Sequence, residues 1–118
     1  GEGRDYSVGV MANLGWDDLY HAQGGRNIGA GDLFGAGIFW DDEGTDTYQL
    51  DQQWGLGYAF AEKFAEFSFT FGLFLDSGGT EDNYVTPAEH PANDKLWTQV
   101  GNHNDGESTI IKAIGLDE

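Results

Sequence analysis

The sequence lacks cysteine, contains only two prolines, and has five basic residues against 21 acidic ones. Without cysteine, the chain has no disulfide, thiolate metal site, iron–sulfur cluster or catalytic thiol. The net charge of −16 repels phosphate groups, which excludes nucleic acids and anionic membranes as expected partners. No apolar run approaches the roughly 18 residues of a membrane-spanning helix, and we find no signal-peptide pattern.

Aromatic and small residues are abundant instead. Phe, Trp and Tyr make up 14% of the 118 residues, and 19 residues are glycine. Aromatic side chains each bury on the order of 150–250 Å² in a folded core, whereas disordered chains of high charge contain few of them. Acidic residues occur in both halves of the chain. We therefore expect a single folded β domain over residues 1–118, with an acidic surface whose self-repulsion is screened by salt.

Large and small residues alternate with a period of two in several segments, which is typical of β-strands. These segments are 6–11, 33–40, 54–61 and 67–75, with weaker examples at 96–100 and 108–114. Glycine-rich turn sequences lie between them, and we find no internal repeat at a fixed period. The pattern predicts an all-β fold. Specifically, it predicts a single antiparallel β-sandwich or partly closed barrel, with long Gly-rich loops and at most one short helix.

Two segments allow a second interpretation. Residues 14–23 fit either a short helix or a broad loop. In residues 59–67, Phe60, Phe64 and Phe67 lie at helical spacing, but the segment also fits two strands that turn around Glu62-Lys63. Neither turn residue readily adopts the positive φ of a tight hairpin. We keep both interpretations and favour two strands.

The alternation also predicts which side chains face the core. In residues 33–40 the bulky face includes Ile38 and Trp40, and glycines occupy the other face. In residues 67–75 the same reasoning turns Phe69 and Leu73 inward and leaves Phe74 alone on a face of small residues. A lone aromatic there either fills a gap within the domain or contacts another chain. We predict an interface formed by Phe74 with the following loop 78–94, including Tyr84 and Val85.

A dense acidic segment is the strongest candidate site. Calcium binds six to eight oxygen ligands, and this segment supplies several carboxylates, although their spacing differs from the EF-hand pattern. A second, weaker group surrounds Gly78-Gly79 and contains Asp76, Glu81 and Asp82. We interpret calcium as a cofactor that the protein can bind without requiring it. The predicted ligands are Asp41, Asp42, Glu43, Asp46 and Asp51.

Histidine and tryptophan provide weaker signals. His21, His90 and His103 lack zinc-site spacing, and no nucleophile motif accompanies them, so we expect no enzymatic activity. Trp40 and Trp54 alternate in phase with residues predicted to face the core. Trp16 and Trp97 are predicted to be exposed and are the candidate ligand-binding tryptophans.

These observations favour a non-enzymatic structural or interaction module within a larger homo- or hetero-oligomeric assembly. A capsid-decorating or tail component of a virion fits, as does a subunit of an extracellular surface layer or filament. The alternative is a β-sandwich that binds carbohydrate with the help of calcium. The sequence does not determine the localisation; it favours a virion, the extracellular space or the cell surface, and the expected partners are other protein subunits.

Overall fold

The computed structural model describes residues 1–24, 27–52, 55–60, 68–79, 81–87, 91–98 and 109–118. These residues form strands and no helix, and so none of them belongs to a helix with the length and apolar character needed to cross a membrane. The strands pair mainly in parallel and form three sheets. The predicted single antiparallel sandwich or barrel is therefore wrong, because alternation within a strand does not indicate the direction of its neighbours.

The chain visits the three sheets in a fixed order, as a parallel β-solenoid does. Sheet A contains β1, β4 and β7; sheet B contains β2, β5, β8 and β11 together with β10; sheet C contains β3, β6 and β9. We call β1–β3 coil 1, β4–β6 coil 2 and β7–β9 coil 3. The strands are β1 (Gly3–Arg4), β2 (Val8–Ala12), β3 (Leu19–Ala22), β4 (Gly31–Asp32), β5 (Ala36–Asp42), β6 (Thr47–Leu50), β7 (Ala59–Phe60), β8 (Ser68–Ser77), β9 (Asn83–Val85), β10 (Leu96–Trp97) and β11 (Thr109–Asp117).

Strand pairing reveals a repeat of 28 residues. Gly3 pairs with Gly31, and Gly31 pairs with Ala59. The same separation joins coils 1 and 2 in the other two sheets. Coil 3 is longer, since Ala36 pairs with Phe71 in sheet B. The absence of a fixed-period repeat was therefore a wrong prediction: two coils share a period, and insertions in coil 3 disguise it.

Several predicted segments contain strands with different bounds. Residues 14–23, predicted as a helix or loop, include β3. In the segment 59–67, only residues 59 and 60 are described; they form β7, and the choice between helix and turn lies outside the described residues. The weak strands predicted at 96–100 and 108–114 correspond to β10 and β11.

The orientation of the strands is the reverse of the predicted one. In β8 the inward residues are Thr70, Gly72, Phe74 and Asp76, whereas Phe69 is 45% exposed. In β5, Phe39 is fully buried and Trp40 is 40% exposed. Because these strands have bulky side chains on one face and glycines on the other, the bulky face was predicted to point into the core. The interior instead needs small residues where backbones meet.

Sheets A and B approach so closely that glycine is required between them. A Cβ atom on Gly37 would lie 1.9 Å from the carbonyl oxygen of Ala30. A Cβ atom on Gly72, which pairs with Gly37 in the ladder, would lie 2.3 Å from the carbonyl oxygen of Tyr58. The buried hydrophobic cluster contains the aromatic rings of Phe39, Tyr48, Phe74 and Trp97 together with Ala22, Leu50 and Leu56.

Two columns of rings form the core between sheets B and C. In sheet B, Phe39 stacks on Phe74, with ring centroids 5.4 Å apart. In sheet C, Tyr20 stacks on Tyr48 at 5.2 Å, and Tyr48 stacks on Tyr84 at 5.2 Å. Each coil adds one ring to the sheet C column, so the repeat continues through the core.

Trp97 closes both columns at the end of the solenoid. Its ring lies 5.5 Å from Phe74 and 5.9 Å from Tyr84, and its indole N–H donates to the carbonyl oxygen of Leu56 at 3.0 Å. Trp97 belongs to β10, which pairs antiparallel with β11, the last strand of the sheet B ladder. The prediction that Trp97 is exposed is wrong, because it is 6% exposed and caps the core.

Candidate functional site

One column of carboxylates follows the sheet B ladder. Asp41 of β5, Asp76 of β8 and Asp117 of β11 are register partners. Parallel strands lie about 4.8 Å apart, and side chains at paired positions project the same way. All three side chains are buried, at 0%, 2% and 3% exposure. The fold therefore places negative groups directly above one another inside the protein.

A second column lies immediately before the strands of sheet C. Asp18 precedes β3 and Asp46 precedes β6, while Asp82 precedes β9. The amide N–H of Asp18 donates to Oδ1 of Asp46 at 2.8 Å. The amide N–H of Asp46 donates to Oδ1 of Asp82 at 2.6 Å. Each carboxylate in coils 2 and 3 is thereby anchored to the backbone of the preceding coil.

The two columns meet in a cluster formed by Asp46, Asp76 and Asp82, which we call the carboxylate cluster. One oxygen from each residue lies within 4.8 Å of the others. Asp46 and Asp76 are buried, and Asp82 is half-buried. Oδ2 of Asp76 is buried without a hydrogen-bond partner among the described residues. The ion pairs of the described residues involve Arg4 and His21, and none reaches this cluster.

Burial and mutual repulsion make these carboxyl groups hard to ionise. Burial raises the pKa of Asp76 to about 7; a hydrogen bond with Tyr48 lowers it in part, and the neighbouring carboxylates of Asp82, Asp117 and Asp41 raise it further. Burial raises the pKa of Asp46 to about 6, and Asp41, Asp82 and Asp18 also raise it. The pKa of Asp82 shifts in the same direction, chiefly through burial. The cluster is therefore an electrostatically unfavourable arrangement in the absence of a cation.

Tyrosine hydroxyl groups satisfy the carboxylates on either side of Asp76. Tyr48 donates to Oδ2 of Asp41 at 2.9 Å, and Tyr84 donates to Oδ2 of Asp117 at 2.5 Å. Burial, followed by interactions with acidic neighbours, raises the pKa of both tyrosines. They therefore remain protonated donors at neutral pH.

Coil 1 has an amide side chain at the position where coils 2 and 3 have the carboxylates of Asp41 and Asp76. The ladder between β2 and β5 ends where Ala12 pairs with Trp40, and the next residues are Asn13 in coil 1 and Asp41 in coil 2. Its amide nitrogen lies 2.6 Å from Oδ2 of Asp18 and 2.7 Å from the Tyr20 hydroxyl oxygen, and it donates to both. An amide supplies the hydrogen atoms that a carboxylate lacks. Coil 1 thus satisfies its acidic residue internally.

The predicted calcium ligands do not form one site. Asp46 belongs to the carboxylate cluster, and Asp41 is bonded to Tyr48 beside it. Asp42 accepts a hydrogen bond from Ser77 at 2.9 Å, and Glu43 is exposed in a turn. Asp51 lies 3.1 Å from His21 and forms a separate pair. Proximity in sequence therefore grouped residues that the coil distributes over different places.

The weaker acidic group provides the other two members of the cluster. Asp76 and Asp82 join Asp46, whereas Glu81 is exposed. Aligning the coils would have found this site. Asn13, Asp41 and Asp76 occupy one repeated position, while Asp18, Asp46 and Asp82 occupy another.

The other predicted site residues have mixed positions. Trp16 is exposed as predicted, at 88%, and its role in ligand binding stays a prediction. Trp54, His90 and His103 lie outside the described residues. Phe74 is fully buried against Phe39 and Trp97. Its predicted place at an interface is wrong, because its face of β8 points into the solenoid.

The two remaining predicted interface residues differ in exposure. Tyr84 contributes its ring to the core column, and its hydroxyl group is bonded to Asp117. Val85 is 48% exposed, and an interface role for this residue stays a prediction. An exposed apolar surface does exist, but it lies on the opposite side of β8 from Phe74.

That surface is the outer side of sheet B, which we call the apolar face. Alternate side chains of β2, β5, β8 and β11 point outward there. Between the strand ends these positions carry apolar residues except at Lys112, the register partner of Phe71, and the acidic residue Asp42 lies at the end of β5. The large side chains on this face that are between 40% and 68% exposed are Val8, Val10, Trp40, Phe69 and Ile114.

Comparisons of the chain with protein-family models, curated proteins and solved structures find no match. The carboxylate cluster and the apolar face are the two features of the chain that bear on its function.

Proposed function

We propose that the chain is a non-enzymatic structural module that assembles with a second copy of itself through the apolar face. The observation that carries this proposal is the distribution of charge. A chain of net charge −16 has a four-strand surface whose outward positions between the strand ends are apolar except at Lys112 and contain no acidic residue. Contiguous apolar patches of this kind are typical of protein interaction surfaces.

Electrostatics favours this surface for contact between two copies. Two chains of the same charge repel each other, and the repulsion is strongest where acidic residues would meet. Contact between two apolar faces keeps the acidic residues at the rim and removes Val10, Phe69 and Ile114 from water. Because both copies use the same surface, the contact has twofold symmetry and produces a closed dimer. Stacked sheets of this kind pack about 10 Å apart.

Sedimentation velocity of the wild-type protein and of surface variants tests the proposal. We expect a concentration-dependent dimer whose affinity increases with salt, because salt screens repulsion between the acidic chains. Phe69→Asp and Val10→Asp should each yield monomers, since a buried unpaired charge is costly. Trp16→Asp is the matched control, because Trp16 is more exposed but lies in the loop after β2, and it should leave the dimer unchanged.

Two results would contradict the proposal. The first is a wild-type protein that stays monomeric at every concentration and salt level. The second is a Phe69→Asp variant that keeps a wild-type circular dichroism spectrum and still dimerises. Either result would remove the apolar face as a self-association surface.

Carbohydrate binding assisted by calcium is the second candidate function, without its predicted sandwich fold. The observation that favours it is Trp16, which is 88% exposed and has a φ of 81°. Exposed aromatic rings can stack on sugar faces, and residues held at positive φ often occur at functional sites. Screening Trp fluorescence against oligosaccharides, with Trp16→Ala as the control, tests this function directly.

A further inference from the structure

We propose that Asp46, Asp76 and Asp82 bind one Ca²⁺ ion between coils 2 and 3. This inference concerns the carboxylate cluster and does not depend on self-association through the apolar face. The three residues come from two acidic segments about 30 residues apart, and the coil geometry brings them together. The sequence alone indicates only that each segment is acidic.

The hydrogen bonds around the cluster leave one carboxylate oxygen, Oδ2 of Asp76, without a partner among the described residues. Oδ1 of Asp46 and Oδ1 of Asp82 accept backbone N–H groups, and the neighbouring Asp41 and Asp117 accept tyrosine hydroxyl groups. Asp76 is 2% exposed, and its Oδ2 has no donor among the described residues. A buried polar atom without a hydrogen-bond partner is destabilising. A cation at this position supplies the missing partner.

The charge of the cluster also points to a cation. Three carboxylates approach one another without a lysine, arginine or histidine partner in the described part of the chain. Like charges at this separation repel strongly in a buried environment. A divalent cation converts that repulsion into attraction and links Asp46 of coil 2 to Asp76 and Asp82 of coil 3.

The donor atoms favour calcium over other divalent metals. All three ligands are carboxylate oxygens, which suit hard cations, and the chain contains no cysteine. Calcium accepts oxygens at about 2.3–2.6 Å in flexible geometry, so two of its ligands can be up to about 5 Å apart. The 4.8 Å limit on the separations within the cluster is compatible with this range. Magnesium requires a nearly ideal octahedron at about 2.0–2.1 Å and retains several waters.

Coil 1 provides an internal comparison. Asn13 occupies the repeated position of Asp41 and Asp76, and its amide group satisfies Asp18 and Tyr20 by hydrogen bonding. Where the repeat has an amide, the adjacent carboxylate has a proton donor. Where the repeat has Asp76, that donor is missing and the oxygen is unpaired. Asp76→Asn is therefore a substitution that the fold already uses at this position.

Calorimetric titration of the full chain with CaCl₂, after removal of metals with chelator, tests the proposal. We expect saturable binding of one Ca²⁺ per chain, with a Kd between about 10⁻⁶ and 10⁻³ M. Asp76→Asn should weaken the affinity at least roughly tenfold, because it removes one charged ligand. It should also melt cooperatively without metal, at or above the wild-type temperature. Asp82→Asn, at a half-buried position, should cause a similar loss of affinity.

Asp51→Asn is the matched control, because it makes the same change of charge at an acidic residue that pairs with His21 away from the cluster. Its Ca²⁺ affinity should stay within about threefold of wild type, since distant charges are screened. A wild-type protein without saturable Ca²⁺ binding would overturn the proposal. So would wild-type affinity in a folded Asp76→Asn variant. Equal increases in melting temperature with CaCl₂ and MgCl₂ at matched ionic strength would also overturn it, leaving only general screening.

Discussion

Asp41 and Asp76 are register partners on adjacent parallel strands, and both carboxylates are buried. Like charges at facing positions of a ladder are destabilising, yet the fold continues the column with Asp117. Asp41 and Asp117 receive tyrosine hydroxyl groups, whereas Oδ2 of Asp76 has no partner among the described residues. Coil stacking therefore concentrates negative charge at a defined place, and the electrostatic cost depends on pH and on bound cations.

The first prediction concerns pH in the absence of divalent cations. The pKa of Asp76 is about 7 in the folded state and 3.8 without the protein environment. Because the folded state holds this proton more tightly, the free energy of unfolding should decrease as the pH rises from about 4 to 7. Asp46, with a pKa of about 6, acts in the same direction. Urea unfolding in EDTA at several pH values measures this, and a stability that increases over the interval would contradict it.

The second prediction concerns Asn13. Asn13→Asp removes the amide hydrogens that Asp18 and Tyr20 receive, and it adds a carboxylate beside Asp18. We expect the metal-free protein to lose about 1–3 kcal/mol of stability, the typical cost of an unsatisfied polar group. Asn13→Ala removes the donor without adding charge and should cost less. Urea unfolding of the two variants compares them; equal losses would show that the added charge has no effect.

The strand-rich character of the chain was predictable from local alternation, because burial on one side of a strand imposes a period of two. The parallel pairing was not predictable from that signal. It depends on which segments lie 28 residues apart, as Gly3 and Gly31 do. Coils 1 and 2 share this spacing in all three sheets, whereas coils 2 and 3 share it only in sheet A, because insertions lengthen coil 3 after β7. A 28-residue spacing that holds throughout only one pair of coils is too weak a signal to identify a solenoid from the sequence.

The assignment of faces failed for a physical reason that Phe74 illustrates. Phe69 and Leu73 outnumber Phe74 on β8, and burying the larger group is the natural expectation. Inside a narrow coil, however, the backbones of sheets A and B meet across Gly72. The interior therefore has room for one ring per coil at this position, and the other aromatic residues of β8 point outward.

The third prediction follows from that burial. Phe74 is fully buried and stacks on Phe39 at 5.4 Å. Phe74→Ala should lose about 3–5 kcal/mol of stability, as is typical of a truncated core aromatic residue. Phe69→Ala, on the apolar face, should cost much less. Chemical denaturation of both variants gives the comparison, and similar losses would contradict the assignment of the two faces.

The fourth prediction concerns the contact between sheets A and B. Gly37→Ala would place a Cβ atom 1.9 Å from the carbonyl oxygen of Ala30. The strands would have to separate, and we expect a loss of about 1–3 kcal/mol from overpacking. Gly24→Ala is the control, because its nearest contact would be 3.6 Å from the amide nitrogen of Asn27. Thermal unfolding of the pair measures the difference; a Gly37→Ala variant as stable as the control would show that the sheets are not in contact there.

The residues of the carboxylate cluster were predictable from the sequence, but their grouping into one site was not. Both acidic segments were visible in the sequence, and Asp46, Asp76 and Asp82 were among the candidate residues. Their grouping was missed because each segment was considered as a separate loop, whereas the site requires one residue from coil 2 and two from coil 3. Asp51 shows the opposite error, since it is near Asp46 in sequence but pairs with His21.

The most direct measurement of the central claim is the diffraction of crystals grown with CaCl₂, collected at a wavelength where calcium scatters anomalously. The account predicts an anomalous peak about 2.3–2.6 Å from one oxygen each of Asp46, Asp76 and Asp82, with Oδ2 of Asp76 among the ligands. A map without a peak at this position, with Oδ2 of Asp76 bonded to a protein donor or to water, would contradict it.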